Sequence, residues 1–235
     1  PEFLEPEVGV ILPDGLHALV TLQENNQVAY VDLAAGKIDH LLVLGNTSHP
    51  ADLVSDGRYE EKGTLLARRE PDGLALTPDG RFFLTADEGD TGPNVEKTAP
   101  GKPVGGGRTL SVFDLAKGKL VGDTGPQLDR MADQAGVYPD KRSQKKGCEP
   151  EMVVAFERGG VTYAAVTLER AGAVALVELR DPAKPLVLAV VATGNEPAKD
   201  EPEGLALFRD PASQADYLYV ANEGTGTLGV LRVPE

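Results

Sequence analysis

The sequence predicts an all-β chain: a β-propeller of four-stranded antiparallel blades, four of them visible here as part of a larger ring. Three observations lead to that reading. A short acid-Pro-acid phrase opens four separate apolar runs, at Glu5, Glu70, Glu149 and Glu201. The runs between turns are short, rich in Val, Leu, Tyr and Phe, and carry no sustained period of 3.6. Gly and Pro punctuate each unit in the same order.

The first unit, residues 5–44, opens on "EPEVGV", turns at "PDG" (13–15) and passes through "LQENN" (22–26). "AAGK" (34–37) then separates its last two strands. The second, residues 70–123, repeats the grammar with "EPDGLAL", "PDG" (78–80), "ADEGD" (86–90) and "AKGK" (116–119). The third, residues 149–192, has "EPEMVVAF", "RGG" (158–160) and "LERAG" (168–172). The fourth, residues 201–233, has "EPEGLALF" and "ANEGTG" (221–226), then ends at "VLRVPE" without a fourth strand. An open last blade leaves a strand edge to be covered, so the expectation is a piece of a longer propeller. Residues 45–69, 89–107 and 121–148 are read as long connections, either functional loops or plain linkers.

The 235 residues are enough to bury a sizeable core, and a hydrophobic content of 41% suits a globular protein. A formal charge of −14 argues against a nucleic-acid partner, which needs clustered Lys and Arg. The single cysteine, Cys148, excludes an internal disulfide framework and a Cys-rich zinc site. No apolar run approaches the roughly 18 residues of a membrane helix. The chain starts at Pro1 rather than Met, so the natural start and any targeting segment are expected to be missing.

In a propeller the start of each inner strand and the turn between the second and third strands open on one face. The four phrases supply Glu5, Glu7, Glu70, Asp72, Glu149, Glu151, Glu201 and Glu203 there, and the turns supply Glu24, Glu88, Glu169 and Glu223. The turn acids follow their leading Glu by 19, 18, 20 and 22 residues. Two like charges about 4 Å apart near a protein surface cost about 4 kcal/mol before relaxation. Such a ring needs a hard cation, basic neighbours or raised pKa values. Oxygen-only donors favour Ca2+, with Mg2+ second. Arg69, Arg170 and Lys199 are the basic alternatives. The Pro between the acids is expected to keep the residue before it extended. A purely structural role for each Glu, as a staple between blades, competes with the cation site.

No Ser-nucleophile elbow, metalloprotease helix or Walker loop occurs. His17, His40 and His49 are scattered, and His17 reads as packed. "KRSQKK" (141–146) beside Cys148 is a solvated loop or an anion clamp.

The ordered motifs "LEPEVGVILPDGLHALVTLQENNQVAYVDL", "LTADEGD", "GGRTLSVFD", "DKRSQKKGCEPE", "TYAAVTLERAGAVALVEL" and "EPEGLALF" to "YLYVANEGTGTLGVLRV" resemble the choice-of-anchor I proteins, relatives of the mesenchyme-specific cell-surface glycoprotein. The resemblance implies a secreted, periplasmic or cell-surface propeller longer than 235 residues, often described as alkaline-phosphatase-like. Two functions follow as expectations. The preferred one is a binding or scaffold module with a divalent cation at its acidic mouth, facing another cell-envelope protein. The alternative is a calcium-dependent phosphoric ester hydrolase acting on a phosphate-containing small molecule, with Lys145 or Arg170 on the phosphate. No residue matches a phosphatase nucleophile motif.

Overall fold

The computed structural model describes residues 4–89, 94–99 and 101–234, so the stretch read as a connection at 89–107 lies partly outside the described residues. The all-β class is what the structure shows. Strands β1 (Pro6–Ile11), β2 (His17–Leu22), β3 (Gln27–Asp32) and β4 (Lys37–Val43) form one antiparallel meander. The short strands β5 (Asn46–Ala51) and β6 (Gly63–Arg68) pair as a hairpin. A second meander contains β7 (Leu74–Leu76), β8 (Phe82–Asp87), β9 (Thr109–Asp114) and β10 (Lys119–Asp123). The third contains β11 (Pro150–Arg158), β12 (Val161–Leu168), β13 (Ala173–Glu178) and β14 (Leu186–Ala192). The last sheet has three strands, β15 (Pro202–Arg209), β16 (Asp216–Asn222) and β17 (Thr227–Arg232).

The "PDG" turns close because Gly15 and Gly80 take φ of 68° and 66°, a region that a side chain disfavours. Alternation then sorts the side chains of each strand between two neighbouring sheets. Phe83 packs with Leu19, Val28 and Phe113 between the first and second meanders. Its neighbour Leu84 packs with Val112, Val153 and Val166 between the second and third. Phe156, Ala165, Leu218 and Val220 fill the layer between the third and the last. Successive sheets therefore face each other, and the apolar core lies in the layers between them.

Two stretches read as long connections carry structure of their own. Residues 45–69 hold β5 and β6, whose pattern Pro50 disguised. Val104 bridges the far side of β6, which leaves β5, the strand that carries Pro50, on the outside of the hairpin, where a missing N–H is tolerated. Residues 121–148 hold helix α1 (Gln127–Gln134), which buries Leu128 and Ala132 against the second and third meanders. The side chain of Arg108, 1% exposed, holds this stretch in place. Its guanidinium donates to the carbonyls of Asp52 (3.2 Å), Ser143 (2.8 Å) and Lys145 (3.0 Å), and to Asp129 Oδ2 (3.3 Å). The basic run 141–146 is thereby set beside the openings of the sheets.

Candidate functional site

The acid-Pro-acid phrase builds the same local device in the last three sheets. Glu70, Glu149 and Glu201 adopt left-handed backbone, with φ of 50°, 55° and 45°. This corrects the expectation of an extended residue before Pro. The compensation is visible in the hydrogen bonds. The carbonyl oxygens of Glu70, Glu149 and Glu201 accept the N–H groups of Gly89 (3.0 Å), Glu169 (2.9 Å) and Glu223 (3.0 Å). A left-handed non-Gly residue costs about 1–2 kcal/mol, comparable with the cost of leaving a buried carbonyl unpaired. Each opening is thus tied to the turn between the second and third strands of its own sheet.

After the Pro, the strand register shifts between Pro6 and Gly9, Pro150 and Val153, and Pro202 and Gly204. Such bulges re-aim side chains. The N–H groups they release at Val8 and Met152 donate to Thr21 Oγ1 (2.9 Å) and Thr167 Oγ1 (2.8 Å) of the next strand. Between sheets, the Gly73 N–H donates to the Glu151 carbonyl at 2.8 Å. A Cβ on residue 73 would lie 2.3 Å from that oxygen, so only glycine lets the second sheet's opening rest on the third's.

These constraints gather carboxylates. One oxygen from each of Asp72, Glu88 and Glu151 lies within 4.8 Å of the others, and the same holds for Glu88, Glu149 and Glu169. Glu88 belongs to both trios. Glu203 hydrogen-bonds Glu223 and feels the charge of Asp72, which extends the cluster toward the last sheet. Burial pushes the carboxyl of Glu151 up to about 11, helped by its hydrogen bond to Asp72 and the charge of Glu88. Burial likewise lifts Glu88 to about 8 against the pull of Lys146. Glu169 rises to about 7 through burial, against Arg170 and with the push of Glu149.

Cations offset part of this charge. Arg170 reaches Glu201 (2.6 Å), Glu169 (2.9 Å) and Glu149 (3.2 Å). Arg142, from the basic run, pairs with Glu149 through Nε at 2.7 Å and through Nη2. The run therefore neutralises the cluster from one side.

The remaining expected residues lie elsewhere. Glu70 is fully buried and pairs with Arg68. Glu5 and Glu7 are exposed at the start of β1, and Glu24 is half-buried in the β2–β3 turn; none is in either trio. The hairpin register explains Glu24. Leu22 pairs with Gln27, Asp87 with Thr109, Leu168 with Ala173 and Asn222 with Thr227. The residue after each is Gln23, Glu88, Glu169 and Glu223, so Gln23 stands level with the turn acids. Gln23 Nε2 donates to Glu88 Oε2 at 2.5 Å. A signal was present: Gln23 follows Glu5 by the same 18 residues that separate Glu88 from Glu70. Arg69 instead serves a buried network with Asp87 and Asp123, and Lys199 pairs with Glu196. Cys148 is fully buried and its thiol is pushed well up by that burial, away from nucleophilic use. His17, half-buried, hydrogen-bonds Asp14 at 2.7 Å.

No helix among the described residues is long and apolar enough to cross a membrane. Among solved structures, the chain is similar to one in the complex of KlAtg21 with the coiled-coil of AgAtg16. That match has 11% identity and a TM-score of 0.52, covering 99% of this chain and 54% of that one. Kuenenia stuttgartiensis hydrazine synthase matches at 14% identity and a TM-score of 0.47, over 99% of this chain and 51% of that one. The β-propeller domain of Myceliophteria thermophila Cps50 (Swd1) matches at 11% and 0.49, over 100% and 57%. The likeness concerns the fold alone, and the chain spans about half the length of each. Comparison with curated proteins gives no match. A sequence profile of the choice-of-anchor I domain matches residues 2–101 and 103–182.

Proposed function

The chain belongs to the choice-of-anchor I family, and from that premise we propose that it is a segment of a secreted or cell-surface β-propeller. In this reading it is a binding module whose acidic cluster takes a divalent cation, calcium in preference to magnesium. The face-to-face stacking of successive sheets supports the propeller reading, and the family name supports the location.

The observation that carries the cation reading is the pair of carboxylate trios sharing Glu88. Their donors are all oxygens, with no His or Cys among them, which suits a hard cation. Asp72, Glu88 and Glu151 would hold one ion, and Glu149 and Glu169 would extend the donor set around Glu88. Bound calcium would supply the positive charge that the cluster now replaces with protons and with Arg170. The scaffold reading is preferred to the phosphoesterase because Arg170, a residue expected on a phosphate, already pairs with three carboxylates.

Calorimetric titration with calcium into chelator-treated protein tests this. The expected result is saturable binding with a rise in Tm, since a ligand at 100 times its Kd adds about 2.7 kcal/mol to stability. Glu88→Gln should abolish both. Unchanged binding in that variant would remove the shared-Glu88 site. Chelator-sensitive phosphate release from a chromogenic ester would replace the scaffold with the hydrolase.

A further inference from the structure

His49 is the one buried histidine of the three, 6% exposed on β5. Both of its ring nitrogens meet carbonyl oxygens. Nδ1 lies 2.9 Å from the oxygen of Pro50, and Nε2 lies 3.0 Å from that of Gly107, just before β9 begins. A carbonyl oxygen only accepts, so each contact needs a proton on the ring. Neutral imidazole carries one such proton and imidazolium carries two. In either neutral tautomer, one of these contacts sets a ring lone pair against a carbonyl oxygen.

The Gly107 contact fastens a strap. Residues 52–62, between β5 and β6, tie the hairpin to helix α1 and to the basic run. Glu61 accepts from Nε and Nη2 of Arg130 on α1, at 2.7 Å each. The Gly57 N–H donates to Asp140 Oδ2 at 2.9 Å, and the Ser143 hydroxyl donates to Asp52 Oδ2 at 3.3 Å. Tyr59 meets the ring of Tyr138 edge-on. The stretch held in this way carries Arg142, which pairs with Glu149 of the acidic cluster.

The charges around His49 have partners of their own. Glu61 is held low by its hydrogen bonds from Arg130, and the charge of His49 adds to that effect. Arg108, next to Gly107, pairs with Asp129. Asp123 accepts the hydroxyl of Thr47, two residues along β5, and pairs with Arg69. On β6, Leu65 stands opposite His49, and Arg68, the charged residue of that strand, pairs with Glu70. The fixed contacts of the ring nitrogens are therefore the two carbonyls.

We propose that His49 is a proton-operated catch for this strap. Doubly protonated, the ring grips Pro50 and Gly107 together; losing a proton releases one of them. The strap is closed on the acidic side of the ring's titration and looser on the basic side. The catch is independent of cation binding at the acidic cluster.

The test follows the full chain from about pH 5 to 8.5, the range in which imidazole exchanges its second proton. Nitrogen-15 NMR counts the protons on each His49 nitrogen. Hydrogen exchange of the β5 and β6 amides, corrected for the intrinsic effect of pH on exchange, reads opening of the strap. Its ratio to the protection of β12 and β13 in the third sheet removes changes in global stability. The expected result is two ring protons at the acidic end and one at the basic end. Over the same range the ratio should fall about tenfold, the change that one buried hydrogen bond supplies. His49→Gln, whose amide offers two donors and no titration, should hold the ratio constant. If that variant fails to fold, the proton count set against the ratio in the native chain still decides. A proton count that does not change, a constant ratio in the native chain, or a fall that persists in His49→Gln overturns the proposal.

Discussion

Glu70, Glu149 and Glu201 are long acidic side chains in a backbone region that favours glycine, each followed by a proline that gives up an N–H. They stay there because their carbonyls accept N–H groups from the facing turns, and the turn brings Glu88, Glu169 and Glu223 along. Gly73 performs the complementary task between sheets. Gly73→Ala forces a Cβ to 2.3 Å from the Glu151 carbonyl. The expected result is a loss of about 1–3 kcal/mol in chemical denaturation, together with weaker calcium binding as Asp72 moves from Glu151. Unchanged stability would mean that the two openings adjust without resistance. At this scale the sequence revealed the acids but not their level. Counting from each leading Glu picked Glu24, because the bulge and turn lengths that put Gln23 beside Glu88 are tertiary facts. Arg142 was equally hidden, since its seven-residue separation from Glu149 says nothing of the folded connection that brings them together.

At the level of elements, the second sheet is held by charge inside its own layer. Burial pushes the Asp87 carboxyl up and the Arg69 guanidinium opposes it, assisted by the hydroxyls of Ser111, Thr109 and Thr85. Arg69→Met leaves Asp87 buried without its cation and should cost about 3–5 kcal/mol. Adding Asp87→Asn should recover part of that loss, because two neutral groups need no pairing; thermal unfolding of both variants reads the difference. No recovery would show that Arg69 acts through packing alone. The four units were legible because turn glycines and short β-rich runs recur in a fixed order. The hairpin β5–β6 and helix α1 were not, since Pro50 broke one pattern. The helix buries only Leu128, Asp129 and Ala132 within a polar stretch.

Across the whole molecule, the cluster couples stability to pH. Glu88, Glu151 and Glu169 hold protons in the folded state above their ordinary value of 4.5, near 8, 11 and 7. The unfolded chain releases those protons near 4.5, so cation-free protein should lose stability as pH rises from about 5 to 9. Acids held low, such as Glu61 beside Arg130, act only below that window. His17, raised by Asp14, shifts in the same direction, so Glu88→Gln is the variant that assigns the slope. Tm measured from pH 5 to 9 should fall less in that variant, and calcium should reduce the fall in the native chain. A flat profile would place the protons elsewhere. The fold's broad class could be read from the chain; the convergence of the acids depended on Gly73 and the bulges. The charge inside the second sheet has a consequence for assembly. Repeats of similar shape invite strands to pair within the wrong unit, and such mismatches trap multi-unit chains. Arg69 finds its acids on strands of its own sheet, Asp87 on β8 and Asp123 on β10, whereas the matching Cys148 of the third sheet is enclosed by Leu168, Ala173 and Val190. A strand exchanged between these two sheets would bury the guanidinium without an acid, so each sheet is led to close on its own strands.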